Sequence, residues 1–156
     1  MAKTSKEVHP FEHGPYVQVA AFCERVLREA DGVVSLIRVI DVITHTERGV
    51  NVPQDMPEVR YPLNLVLALR SGRAKGRHDV SITPELPSGA TLPSMITTVH
   101  LEGDGKGVNV FSKIDIPFSL EGLYWFNVRF DEELLTRLPL QIRYARLSTG
   151  SAGPQQ

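Results

Sequence analysis

The stretch Leu63-Asn64-Leu65-Val66-Leu67-Ala68-Leu69-Arg70 decides the fold class. Its leucines recur at every second residue, with Asn64, Val66, Ala68 and Arg70 between them. Successive side chains of a strand point to opposite faces, so this alternation aims one set at a core and the other away from it. The same period extends outward along the chain. Val80 and Ile82 alternate with Asp79, Ser81 and Thr83, and Val108, Val110, Ile114 and Ile116 with Asn109, Lys113 and Asp115, Phe111 alone breaking the pattern. Tyr124, Phe126, Val128 and Phe130 share a face, as do Leu138, Leu140, Ile142 and Tyr144. Their β-branched and aromatic content agrees with strands.

Tyr16–Cys23 and Val33–Thr46 are apolar on both faces in places, as central or doubly covered strands are. Met95–Glu102 completes the set, and Glu24–Asp31 has room for a short helix stopped by Gly32. Turn signals separate the runs at Asp31-Gly32, Ser71-Gly72, Pro87-Ser88-Gly89, Gly103-Asp104-Gly105 and Glu121-Gly122, and prolines sit at strand ends. About eight short strands without regular helices between them predict an all-β fold. The expected form is an antiparallel immunoglobulin-like or C2-like β-sandwich over 15–146, with at most a short helix at 24–31, between polar tails at 1–14 and 147–156.

The whole chain has 156 residues, 17 Lys+Arg and 18 Asp+Glu, for a formal charge of −1. A chain of this length buries roughly 70% of its unfolded surface, enough for a core without metal or disulfide support. Near-neutrality argues against a general nucleic-acid coat or a polybasic membrane binder. The lone Cys23 makes no internal disulfide. Arg38 and Asp41 interrupt the longest apolar run, Val33–Ile43, well short of a spanning helix, so no membrane partner is expected. The opening Met-Ala-Lys-Thr-Ser-Lys-Glu is no secretory signal, and a reducing cytoplasm is the expected location.

Two segments carry a family resemblance. Phe22-Cys23-Glu24-Arg25-Val26-Leu27, followed by Asp31-Gly32-Val33-Val34-Ser35-Leu36-Ile37-Arg38-Val39-Ile40-Asp41, resembles the opening of an uncharacterised bacterial family of small β-sandwich proteins, a domain of unknown function. Glu121-Gly122-Leu123-Tyr124-Trp125-Phe126, with Leu138-Pro139-Leu140 beyond it, is similar to that family's closing hairpin. The likeness spans most of residues 16–146. It implies a β-sandwich in a bacterial cytoplasm and brings no catalytic residues with it.

No chemical constellation stands out. There is no Gly-x-Ser-x-Gly elbow, no His-Glu-x-x-His and no phosphate-binding glycine loop, and no catalytic, metal or cofactor residue is nominated. Cys23 in its apolar run reads as a small core residue. His9 and His13 would share a face only on a helix, which Pro10 and Gly14 oppose. His78 and the adjacent Asp79 point to opposite faces of a strand and form no dyad. Glu102-Gly103-Asp104-Gly105-Lys106-Gly107 lacks the remaining acidic positions of a calcium loop and reads as a tight hairpin turn.

Loop parity in an antiparallel sandwich puts 24–32, 71–77, 103–107 and 131–137 at one end and 47–60, 87–94 and 117–122 at the other. The first end holds Arg73, Lys75 and Arg77, candidate anion contacts, among the carboxylates Asp31, Asp104, Asp131, Glu132 and Glu133. Opposite charges within a Debye length of about 8 Å weaken such a loop as a phosphate magnet. The second end gathers Val52, Met56, Leu86, Leu92, Phe118 and Leu120 with several prolines. If exposed, that rim is a contact surface for a protein partner or a second copy of the chain. Otherwise its side chains turn inward and plug the sandwich. The expected function is therefore a non-catalytic interaction or self-assembling module. Anion or nucleic-acid binding through 70–77, or an enzyme with a site assembled from distant loops, are the alternatives.

Overall fold

The computed structural model describes residues 13–150, and the alternating runs in it are strands. In chain order they are β1 (Tyr16–Arg28), β2 (Val34–Ile40), β3 (Val42–Gly49), β4 (Val59–Arg60), β5 (Leu63–Arg70), β6 (Gly76–Glu85), β7 (Met95–Leu101), β8 (Gly107–Ile114), β9 (Pro117–Phe118), β10 (Gly122–Phe130) and β11 (Glu133–Ser148). The chain is all-β: the described residues contain no helix. One sheet has the order β2-β1-β5-β8 and another β3-β11-β10-β6-β7, while β4 and β9 form a two-residue clip. All pairings are antiparallel except β3 with β11.

Both sheets contribute to one apolar cluster. Leu63, Leu65, Leu67 and Leu69 of β5 are buried together with Val80 and Ile82 of β6, Tyr124, Phe126 and Val128 of β10, and Leu138, Leu140 and Ile142 of β11. The Phe22 ring of the first sheet meets Phe126 of the second edge to face, centroids 4.8 Å apart. Each such side chain contributes on the order of 1.5–3 kcal/mol through removal from water. The alternating sequence pattern and the buried set coincide because only one face of each strand meets the opposite sheet.

Three local expectations are corrected. First, 24–31 contains no helix: β1 continues through Arg28, pairing Arg25, Val26, Leu27 and Arg28 with Ile37, Leu36, Ser35 and Val34. A two-turn helix is marginal alone, whereas the strand finds a partner for its whole length. The turn closes with Glu29 N–H donating to the Val33 carbonyl at 2.8 Å and Gly32, at φ +84°, donating to Glu29. Second, Val33–Thr46 is not one central strand. It breaks at Asp41 into β2 and β3, edge strands of different sheets, while β1 is central. Third, 103–106 is a turn with positive φ at Gly103, Asp104 and Gly105, but it crosses from β7 to β8 between sheets and is no hairpin. The 71–75 connection from β5 to β6 crosses likewise.

The β1–β2 pair does not run straight. Arg28 lies seven residues beyond Ala21 on β1, about 23 Å if extended at ~3.3 Å per residue. Yet its guanidinium stands 4.9 Å from the ring of Phe111, which faces Val66 on β5, itself opposite Ala21. The hairpin therefore bends back over the outer side of its own sheet. The bend falls where Arg38 takes φ +54° and its guanidinium reaches the Glu24 carboxylate at 2.9 Å. Cys23 and Val66, one residue out of phase with the core-facing Phe22 and Leu65, are nevertheless buried beneath it.

That hairpin also changes one assignment of loops to ends. Ser71 N–H donates to the Lys106 carbonyl, Gly105 N–H to Gly72, and His78 bonds to Asp131, so 71–77, 103–107 and 131–132 do share an end. Tyr144 ties the 47–60 and 117–122 connections together through Pro53 and Glu121, and Gly122 lies against Pro87 so closely that a Cβ there would stand 2.9 Å from it. The 24–32 connection starts from this second end, where β1 parts from β5 at the Cys23–Asn64 pair, and from there turns over the outer side of the sheet. β11 runs through Leu147 and Ser148, and Thr149 donates to the Gly49 carbonyl, so pairing extends beyond the boundary expected at 146. Of the tails expected at 1–14 and 147–156, residues 1–12, His9 among them, and 151–156 lie outside the described residues.

Candidate interaction surface

The apolar loop end is largely turned inward. Phe118 is fully buried, its ring packed edge-on to Tyr124 at 5.1 Å, and Met56 is buried in the same cluster. Both belong to the core and present no surface to a partner. Val52, Leu86 and Leu92 are half-buried, and Leu120 is exposed. Leu120 is also held from behind: the Tyr124 hydroxyl donates to its carbonyl at 3.1 Å and accepts from its N–H at 3.2 Å.

Arg73, Lys75 and Arg77 are exposed on the crossover loop and the start of β6. The Lys75 stem packs along Gly103, where an added Cβ would meet it at 2.5 Å. Around it stand Asp104, Asp131 and Glu132, and Lys106 is paired with Glu102 at 2.6 Å. This end is mixed in charge.

Two histidine clusters escaped the sequence reading. His45 Nε2 bonds to Glu47 at 2.8 Å and Nδ1 to the Tyr61 hydroxyl at 2.6 Å, while Tyr144 stacks on the ring. A ring with its proton on Nε2 donates to the carboxylate and accepts the phenol, satisfying all three groups. Burial first, and the Glu47 charge second, push the Tyr61 phenol above its ordinary range, so it serves as a donor. Since Tyr144 also donates to the Pro53 carbonyl, the cluster staples the 50–61 connection onto β3 and β11.

His78 is wired differently. Nδ1 faces Asp131 Oδ2 at 2.6 Å and Nε2 faces the Lys75 carbonyl at 2.7 Å. Asp131 is 53 residues away in sequence, which hides the pairing from local spacing. Asp79, as its strand parity requires, turns elsewhere and accepts from the Thr98 hydroxyl at 2.7 Å. With both ring nitrogens engaged, His78 has no free position for proton transfer to a substrate. Among the described residues, no three of His, Cys, Asp and Glu gather as a metal site. Cys23 is buried, which raises its thiol pKa and leaves it a small apolar filler.

The surface left open is the bent β1–β2 hairpin. Val39 is 63% exposed, Val33 59% and Leu27 48%, with Ile37 and Val19 also exposed. Register explains part of the grouping: Ile37 sits opposite Arg25, one step from the Leu27–Ser35 pair, and Val33 continues that i, i+2 row, while Val39 lies beyond the Arg38 bend, opposite Cys23. Among the described residues β2 hydrogen-bonds only to β1, and none of them forms a strand along its other edge. The signal lay in Val33–Thr46, whose apolar residues on both faces suit an edge awaiting cover as well as a central strand.

With this geometry in place, comparison with known proteins is informative. The profile of DUF6941, a family of unknown function, matches residues 18–143. The chain belongs to DUF6941. No curated protein matches the DUF6941 chain. Among solved structures, it is similar to a Pseudomonas fluorescens alkylpurine DNA glycosylase, AlkC, bound to DNA containing an abasic site analog. The TM-score is 0.50 at 11% identity, covering 84% of the DUF6941 chain and 31% of the glycosylase. The chain thus spans about a third of that enzyme's length, and the likeness is one of fold. None of the described residues forms a helix long and apolar enough to cross a membrane.

Proposed function

We propose that this domain is a non-catalytic interaction module that associates through the β2 edge, with a second copy of the chain as the partner. The observation carrying the reading is the exposed apolar group of Ile37 and Val39 on β2, with Val33 just before it and Leu27 beside it on β1, next to a β2 edge that is unpaired among the described residues. Proteins guard such edges with charge, kinks or cover; on β2 the charge and the kink both fall at Arg38, and the apolar residues on either side of it are left to pair with another strand. Arg38 is the one charge within β2, and antiparallel pairing of two copies centred on Ile37 sets it opposite Leu36 of the other copy. No like charges meet along that seam, as a self-complementary interface requires.

The reading includes an immunoglobulin-like or C2-like sandwich in a bacterial cytoplasm. The Tyr124 hydroxyl, bonded back to Leu120 four residues upstream at the start of β10, supports the first part, being the tyrosine-corner arrangement of such sandwiches. Family resemblance and a free thiol support the second. Phosphate or nucleic-acid binding by Arg73, Lys75 and Arg77 is the weaker reading, given the carboxylates at that end.

Sedimentation velocity of the wild type and of Ile37→Lys, with melting curves for both, tests the proposal. The wild type is expected to be a dimer at micromolar concentration, and the variant a monomer with an unchanged melting temperature. A wild-type monomer whose capture of one host protein is lost in Ile37→Lys would replace the second copy by a foreign strand. A monomer with no Ile37-dependent partner overturns the module altogether.

A further inference from the structure

We propose that His78 is a protonation-dependent latch that locks the β10–β11 hairpin to the 71–75 crossover. A backbone carbonyl only accepts, and an ionised carboxylate only accepts. His78 faces one of each, the Lys75 carbonyl at 2.7 Å and Asp131 Oδ2 at 2.6 Å. Both contacts are hydrogen bonds only when both ring nitrogens carry protons. His45, facing a carboxylate and a hydroxyl, needs no such charge.

The latch has something to hold. Asp131 and Glu132 are the two loop residues of the β10–β11 hairpin, between the paired Phe130 and Glu133. Both take positive φ, +51° and +120°, the conformation for which such loops usually employ Asn-Gly or Asp-Gly. Here a glutamate fills the glycine place. Asp131 is fixed on every side: its N–H donates to the Asp79 carbonyl at 2.8 Å, and its Oδ1 accepts from Asp79 N–H at 3.0 Å. The His78 ring itself packs on Phe130, centroids 4.6 Å apart.

The charges around the ring favour the imidazolium. Asp131 touches it and Asp79 follows it on β6. Against them stand the cations Arg77 and Lys75, the latter with its stem turned along Gly103. On β7, His100 is paired with Arg77 one position away. Arg129 and Glu132 flank the hairpin. The hydrogen bond to Asp131, then that to Lys75, raises the His78 pKa, and the same bond lowers that of Asp131. A raised histidine stabilises the fold fully below its unfolded pKa of about 6.5 and loses that contribution as pH climbs through the folded value. A lowered carboxylate loses its contribution as pH falls through its own folded value. The latch is closed between the two and opens on the alkaline side when Nδ1 or Nε2 surrenders its proton.

Nitrogen-15 spectra of the histidine rings, recorded from pH 5 to 10 on the whole chain, test this. Both His78 nitrogens are expected in the protonated range at pH 6.5, with a midpoint above the ordinary histidine value of about 6.5. Exchange protection of the Asp131 amide should drop severalfold through the same midpoint. The Asp131→Asn variant should bring the His78 midpoint down toward the ordinary histidine value of about 6.5. A singly protonated His78 ring at pH 6.5, or amide protection flat across its titration, overturns the proposal even if Asp131→Asn fails to fold.

Discussion

Glu132 occupies a backbone region that costs a side-chain-bearing residue roughly 1–3 kcal/mol. Glycine adds an entropy cost of about 0.5–1 kcal/mol on folding, less than the strain it would relieve. Glu132→Gly is therefore expected to stabilise the domain by about 0.5–1 kcal/mol in urea denaturation at neutral pH. Phe118 gives the opposite result. Its ring is fully buried against Tyr124, so Phe118→Ala should cost about 3–5 kcal/mol, and Phe118→Asp should abolish folding, both readable as lost far-ultraviolet cooperativity. Sequence alone left the fate of Phe118 and Met56 open. An apolar residue in a proline-rich connection carries no period, and whether it turns inward depends on a neighbour, here Tyr124, that no local pattern reveals. The leucines of β5 were legible because alternation is itself the geometry of burial.

Beyond Cys23 the β1–β2 hairpin pairs with no other strand among the described residues. Its far portion lies on the outer side of the sheet, held by the Arg28–Phe111 contact and by the exposed Arg38–Glu24 pair. Surface ion pairs of this kind contribute about 0–1 kcal/mol. Amides of Val26–Leu36 should accordingly exchange with solvent well before those of β5 and β10, a difference that hydrogen exchange at neutral pH would register. Phe111→Ala should widen that gap while leaving exchange in β10 unchanged. The sequence announced two apolar runs here but not their edge position, since strand order is set by pairing partners far along the chain. Nor did it announce the bend, which turns on one arginine with positive φ that nothing in its neighbours requires.

For the molecule as a whole, the joint between β3 and β11 matters most. β11 pairs with β3 over Val42–Gly49 and with β10 on its other side, completing the second sheet. A chain cut after Pro139 loses Leu140 and Ile142 from the core and leaves β3 without a neighbour. Such a truncation should show no cooperative thermal transition by circular dichroism. The parallel pairing also has a consequence in time. A ribosome adding about 5–20 residues per second delivers β11 several seconds after β3 has emerged. Through that interval the nascent chain holds the apolar strands β5, β6 and β10 with the sheet unfinished. The protein's dependence on holding chaperones should therefore be decided during translation, by how long its third strand must wait for its last.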